Sequence, residues 1–290
     1  MLCYAFTVSR TISTGGTFIH TAVHVLNSLP DGVVGDVSDN SAPSSKKLQE
    51  QRNSCPPDFP TFVEGWQYTA NHVKKEKGFL VTQLHRNLNP QGKFKFVNHA
   101  IFDGPDFAAF RGPYNPEFKE VTLKGHGPPG HQKKFPGGYE EFATSTGKPL
   151  VPWLQRDDNS LWILTAFHVN KEKAAAVADF EKNWRAQSGA DFILNAPKEI
   201  GITKVGFYKK FVSPPVLNSY DYFLRAEITG IANDNNAPAL DFLKKLVEFK
   251  YPGLRVTDTD TALYKTDPEY IIYPDAGRRD LPEGHSWVLE

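Results

Sequence analysis

Asn98 is the residue in this sequence best suited to hold a substrate oxygen. It sits in the run Phe94-Lys-Phe-Val-Asn-His-Ala-Ile-Phe102, where strand alternation puts Phe94, Phe96, Asn98, Ala100 and Phe102 on one face. One amide among aromatic rings can orient a carbonyl or phenolate oxygen against an apolar wall, although an asparagine in a sheet also commonly satisfies backbone or loop groups. His85 and Arg86 close the preceding run, Gly78-Phe-Leu-Val-Thr-Gln-Leu-His-Arg86. Adjacent strand residues point to opposite faces, so at most one of the two faces a given cleft. In a dry pocket His85 would act as a general base, because imidazole titrates near neutrality; outside one it is a surface or inter-strand residue.

Other chemistry has less support. His20 and His24 share a strand face, but residues four apart on a strand lie about 13 Å apart, too far to ligate one metal. Gly125-His-Gly-Pro-Pro-Gly130 lacks the strand, loop and helix context of a phosphate loop. Cys3 and Cys55 are the only cysteines and fit no regular metal spacing, so a reducing compartment without a disulfide framework is the default. Lys plus Arg and Asp plus Glu both number 33, which leaves no whole-chain field to attract nucleic acid or an anionic membrane. No apolar run is long enough to span a bilayer, and the chain reads as a soluble, cytoplasmic protein. Its acid-free, Ser- and Thr-rich start with Arg10 also admits mitochondrial or other organelle import, with about the first dozen residues as presequence.

The elements that position these residues come as a repeated pattern. Phe18-Ile-His-Thr-Ala-Val-His-Val25 returns as Trp162-Ile-Leu-Thr-Ala-Phe-His-Val169, and Phe62-Val-Glu-Gly-Trp66 returns in the same order as Phe180-Glu-Lys-Asn-Trp184. The echo pairs His24 with His168, which favours a structural over a catalytic role for both, and makes Trp66 and Trp184 core anchors of helix on sheet. A period this long exceeds a solenoid unit and points to two similar domains packed as an intrachain pseudo-dimer. Strands are predicted at 18–27 and 161–169, helices at about 58–75 and 171–188, and hairpins at 79–88 with 94–102 and 202–212 with 219–229. Second helices are predicted at 105–111 and about 237–250, and last strands near 117–124 and 254–265. The first unit then spans 17–125 with an insertion at about 28–57, and a linker covers 126–159. The second unit spans 160–265, and a tail from 266 to 290 wraps the surface.

The stretch from Gly78 to Asp103, preceded by a helix carrying Phe62 and Trp66, resembles the antibiotic-biosynthesis monooxygenase family in its Leu84-His-Arg86 and Phe96-Val-Asn-His-Ala100 strands. The likeness runs from about 60 to 111. The second half keeps Phe180 and Trp184 but has Tyr208 where the first has His85, and Leu224-Arg-Ala226 where the first has Asn98-His-Ala100. The resemblance implies an α+β fold in which two ferredoxin-like units form an intrachain dimeric α+β barrel. It implies a cleft in the first unit lined by Phe94, Phe96, Asn98, Phe102, Phe107 and Phe110 for a planar aromatic substrate. Asn98, with either His85 or Arg86, would hold the deprotonated substrate oxygen while the electron-rich substrate reacts with dioxygen, with no metal and no cofactor. Haem-degrading relatives carry a histidine on the second helix, and Pro105-Asp-Phe-Ala-Ala-Phe-Arg-Gly112 has none. Two readings stay open: an oxygenase or binder of a hydrophobic aromatic molecule, and a non-catalytic scaffold whose insertion, linker and tail dock it to protein partners.

Overall fold

Runs rich in Val, Ile, Thr and aromatics form the strands of this chain, and runs with three- and four-residue apolar spacing form its helices. A computed structural model describes residues 9–11, 20–22, 24–29, 62–76, 79–89, 93–102, 116–126, 137–145, 160–169, 174–212, 220–229, 236–249 and 256–275. The first half carries β1 (Ser9–Thr11), β2 (His20–Ala22), β3 (His24–Leu29), α1 (Phe62–Val73), β4 (Phe79–Asn87), β5 (Phe96–Phe102), α2 (Pro116–His126) and β6 (Gly137–Thr144). The second carries β7 (Leu161–Val169), α3 (Ala174–Lys182), α4 (Trp184–Gln187), α5 (Ala190–Leu194), β8 (Ile202–Val212), β9 (Tyr222–Ile228), α6 (Ala237–Val247), β10 (Val256–Lys265) and β11 (Ile271–Ile272). None of the described helices is long and apolar enough to cross a membrane.

The fold is α+β, and every described strand pair is antiparallel. β1 and β2 make a small sheet of their own, while the other strands form one curled sheet in the order β10-β7-β9-β8-β6-β3-β5-β4-β11. A further pairing of β10 with β4 brings the ends of that sheet together. Setting β1 and β2 aside, each half runs strand, helix, strand, strand, helix, strand, with the first helix of the second half broken into α3, α4 and α5. Each half orders its strands fourth, first, third, second: β6-β3-β5-β4 and β10-β7-β9-β8. The registers correspond as well, since Tyr139 of β6 pairs with His24 and Lys210, and Tyr264 of β10 pairs with Trp162 and Asn87.

Alternation along the strands divides side chains between the helix-covered outside of the curl and its inside. Leu84 and Phe96 pack outward beneath Phe62, Trp66 and Ala70 of α1. Ile163, Phe167, Phe207, Leu224 and Leu263 pack outward beneath the helices of the second half, against Phe180, Trp184 and Phe242. The helix anchors occupy matching places: Phe62 meets Phe96 at 5.0 Å between ring centroids and Phe180 meets Tyr222 at 5.2 Å. Inside, Val81, Val97, Ile101 and Tyr139 of the first half meet Trp162, Leu164, Tyr208, Phe223 and Tyr264 of the second. Curling the sheet hides this second face from water, at roughly 25 cal/mol per Å² of apolar surface.

Three expectations are corrected. The strand expected near 117–124 is helix α2, because Phe118, Val121, Thr122 and Gly125 are buried at helical spacing and Pro116 starts the first turn, which outweighs the β-propensity of Val-Thr-Leu. The stretch expected as linker, 126–159, contains β6, a strand paired on both sides with β3 and β8. The echo that equates His24 with His168 slips: His24 faces Tyr139 where Trp162, not His168, faces Tyr264, and His168 pairs with Asp258. The tail contributes β11, which pairs Ile271 with Gln83 and Ile272 with Thr82 of β4. The second helix at 105–111 and nearly all of the 28–57 insertion lie outside the described residues.

Helices α1 and α2 cross where neither has a side chain. A Cβ on Gly65 would stand 1.8 Å from the carbonyl oxygen of Gly125, and one on Gly125 would stand 2.4 Å from Thr69 Oγ1. A methyl group there must push backbone away from backbone. Gly65→Ala is therefore expected to destabilise the fold by about 1–3 kcal/mol, read from the denaturant midpoint. An unchanged midpoint would show that the two helices do not approach this closely in solution.

Candidate functional site

Where the halves meet inside the curl, the guanidinium of Arg225 on β9 is buried and its Cζ stands 3.8 Å from the ring centroid of Trp162 on β7. Arg225 Nη1 donates to His99 Nδ1, and Nη2 donates to Gln83 Oε1 at 3.2 Å and to His85 Nε2 at 3.3 Å. The donors come from the second half and these acceptors from the first. Arginine can only donate, so His85 Nε2 must present its lone pair; Nδ1 then carries the proton and donates to Thr266 Oγ1. Burial, reinforced by the charge of Arg225, holds His85 well below the usual imidazole range and keeps the ring neutral. Burial also lowers Arg225 to about 10, which still leaves it a cation at neutral pH.

Around this centre the interior stays polar. The Tyr208 hydroxyl reaches Glu141 Oε2 at 3.5 Å and bonds to Arg225 as well. Burial first, and Glu141 second, push the Tyr208 phenol well above its ordinary value, so it remains protonated. Tyr208 with Glu141 on the β6–β8 seam thus mirrors His85 with Thr266 on the β4–β10 seam. Gln83 is fully buried, and its Nε2 has no hydrogen-bond partner. Farther along β8 and β9, Lys204 Nζ lies 2.9 Å from Glu227 Oε2, the two side chains being 3% and 0% exposed. Thr203 Oγ1 donates to the same carboxylate oxygen at 2.9 Å. Among the described residues no group of three or more His, Cys, Asp or Glu is arranged to hold a metal ion.

The residues singled out from sequence do not gather in one cleft. His85 faces the interior and belongs to the Arg225 cluster. Arg86 points the opposite way, is exposed, and bonds to Asp267 Oδ2 at 3.2 Å. Asn98 lies on the helix-covered face, where its Oδ1 accepts from Trp66 Nε1 at 2.8 Å and from Thr82 Oγ1 at 2.7 Å. Phe94 packs in the interior core with Tyr220, whereas Phe96 packs under α1. Phe102 ends β5, and Phe107 and Phe110 lie outside the described residues. Arg225, Gln83, His99, Trp162 and Tyr208 were not legible as a site, though one signal was present. Alternation along 79–87 and 96–102 sets Gln83, His85 and His99 on the face opposite Asn98, and Leu224-Arg-Ala226 places a cation where the first half has His99.

The sequence profile of a family described as a domain of unknown function (DUF7153) matches residues 79–250, from β4 through α6. No curated protein matches the sequence. Among solved structures, the fold is similar to that of an anthrone oxidase-like protein, 11% identical, with a TM-score of 0.44 over 92% of this chain and 97% of that one. It is also similar to a protein provisionally named a monooxygenase from Lactobacillus acidophilus NCFM, 10% identical, with a TM-score of 0.41 over 88% of this chain and 99% of that one. Neither likeness is close enough to bear on chemistry.

Two outcomes follow from the buried charges. Because the folded-state pKa of His85 lies below its unfolded value, the unfolded chain takes up a proton below about pH 6.5 that the folded chain refuses. Stability attributable to His85 is complete above that pH and falls as pH drops, by at most about 1.4 kcal/mol per pH unit. Urea midpoints measured from pH 7 to 5 should therefore fall less steeply for His85→Gln than for the native chain; equal slopes would refute the assignment. Lys204→Met strands Glu227 without its cation and should cost about 3–5 kcal/mol, most of it regained in the double variant Lys204→Met, Glu227→Leu. A double variant no more stable than the single one would mean the pair does not share one buried site.

Proposed function

This chain belongs to the family described as a domain of unknown function (DUF7153), and from that premise we propose that it is a single-chain α+β barrel that binds a small planar molecule in its interior. The barrel consists of two ferredoxin-like units fused end to end, the first from about residue 17 through β6, the second from 160 to 265. The shared strand order, the matched registers of Tyr139 and Tyr264, and the matched anchors Phe62 on Phe96 and Phe180 on Tyr222 support this reading. The family match, which starts inside the first half and ends inside the second, also fits a unit that is whole only when both are present.

The observation that carries the binding role is the Arg225 cluster. A cation laid on an indole face, with two histidines and a glutamine converging on it, is costly to bury and offers little to stability that apolar packing would not. Such a cost marks a site more readily than a core. The resemblance to antibiotic-biosynthesis monooxygenases supplies the chemistry: an electron-rich hydroxyaromatic reacts directly with dioxygen, one oxygen atom becoming a ring carbonyl and the other leaving as water with the two hydrogens the substrate gives up, so that the substrate itself supplies the electrons and becomes a quinone. Of the three residues named from sequence, only His85 reaches this interior, and as a neutral imidazole it has a proton acceptor to offer. Asn98 fixes α1 to the sheet and Arg86 fixes the tail.

One observation favours the scaffold reading instead. Both hydrogen bonds that Asn98 Oδ1 accepts come from the protein itself, so the polar group expected to greet a substrate is already occupied. Titrating the purified chain with planar hydroxyaromatics separates the readings. Quenching of Trp162 fluorescence that is lost in Trp162→Phe, together with oxygen uptake, supports the oxygenase. The absence of binding across the panel, with co-purification of a stable protein complex, would replace it with the scaffold.

A further inference from the structure

Gln83 carries the least explained polar atom near the centre of the molecule. The side chain is fully buried, its Oε1 accepts from Arg225 Nη2 at 3.2 Å, and its Nε2 has no partner. A buried amide N–H left unpaired costs about 1–3 kcal/mol. Because Nε2 belongs to the same planar amide as the oxygen that Arg225 touches, the unused donor and the guanidinium fork lie side by side. Two adjacent N–H donors, one cationic, on a Trp162 platform match the flat, two-oxygen geometry of a carboxylate.

We infer that the interior site takes a carboxylate-bearing planar molecule, with the carboxylate gripped jointly by Arg225 and Gln83 and the ring laid against Trp162. This rests on the interior being a ligand site at all and adds the class of ligand. The carboxylate takes Gln83 Nε2 with one oxygen. With the other it replaces His85 Nε2, the 3.3 Å contact, on Arg225 Nη2, which frees the His85 lone pair toward the ligand. Neither Asn98 nor Arg86 takes part. Of the two seams between the halves, β4–β10 is the more thinly held among the described residues. It is held by only two residue pairs, Asn87 with Tyr264 and Arg86 with Lys265, whereas the β6–β8 seam runs from Gly138 to Thr144.

The test compares 1-naphthoate, its methyl ester and 1-naphthol by calorimetry on the full chain, alongside Gln83→Glu and Arg225→Met. The native chain should bind 1-naphthoate at least tenfold more tightly than the ester or the phenol. Gln83→Glu is nearly isosteric and puts a negative charge where the unused donor stands. It should lose at least tenfold in naphthoate affinity and lose less for the uncharged ester, and it keeps the test decisive if Arg225→Met fails to fold. Equal binding of all three compounds, or naphthoate binding untouched by Gln83→Glu, overturns the carboxylate assignment while leaving the interior a ligand site. Binding of none of them overturns both.

Discussion

A guanidinium removed from water needs acceptors for its N–H groups, and the Nη1 and Nη2 atoms of Arg225 find His99, Gln83 and His85 on the other half of the chain. This requirement organises the interior. His99 and Gln83 must lie opposite one another on β5 and β4, as their register has them, and both must face inward at the level of Arg225. Once they do, Thr82, Leu84 and Asn98 are forced outward to meet α1. The register of the first half is thus pinned by a side chain of the second. An apolar seam alone would tolerate a sliding fit between the halves, whereas a buried arginine with three fixed acceptors does not.

The seam is also less symmetric than the strand order suggests. Tyr208 and Glu141 face each other at one junction of the halves, His85 and Thr266 at the other. One pair carries a carboxylate and a protonated phenol, the other a neutral imidazole and a hydroxyl. Just outside each, Lys209 lies over the ring of Phe142 on one seam and Arg86 bonds to Asp267 on the other. A homodimer would have had to repeat each pair. Within one chain the two junctions can differ, and here the polar centre sits among the first half's histidines.

How far the sequence revealed this varies with the physics involved. The hairpins, the helix anchors Phe62, Trp66, Phe180 and Trp184, and the inward face of His85 and His99 follow from local periodicity. Asn98 was identified by type and surroundings, yet its role depends on Trp66 Nε1 and Thr82 Oγ1, contacts that only tertiary packing makes. β6 was hidden because it opens on Gly137-Gly138 and carries Glu140 and Glu141, residues that look like a loop until Tyr208 takes up one of the carboxylates. Arg225 gives no local sign of a site because its acceptors His99, Gln83 and His85 lie more than a hundred residues away, in the first half of the chain. The strand echo misled through His24 and His168 because short runs of Thr-Ala and His-Val recur readily in strands, and pairing partners rather than letters fix equivalence.

The outer edge of β4 has a timing problem. His85 and Thr266, like Arg86 and Asp267, stand 181 residues apart, so the ring is completed by nearly the last described residues. A nascent chain leaving the ribosome carries β4 with one edge bare through the whole synthesis of the second half, since β10 and β11 are its partners there. Bare edges invite pairing with other chains, and contacts this distant in sequence form slowly. A charged Arg86 near the end of that edge gives the waiting strand a reason to reject neighbours until its own C-terminal partner arrives.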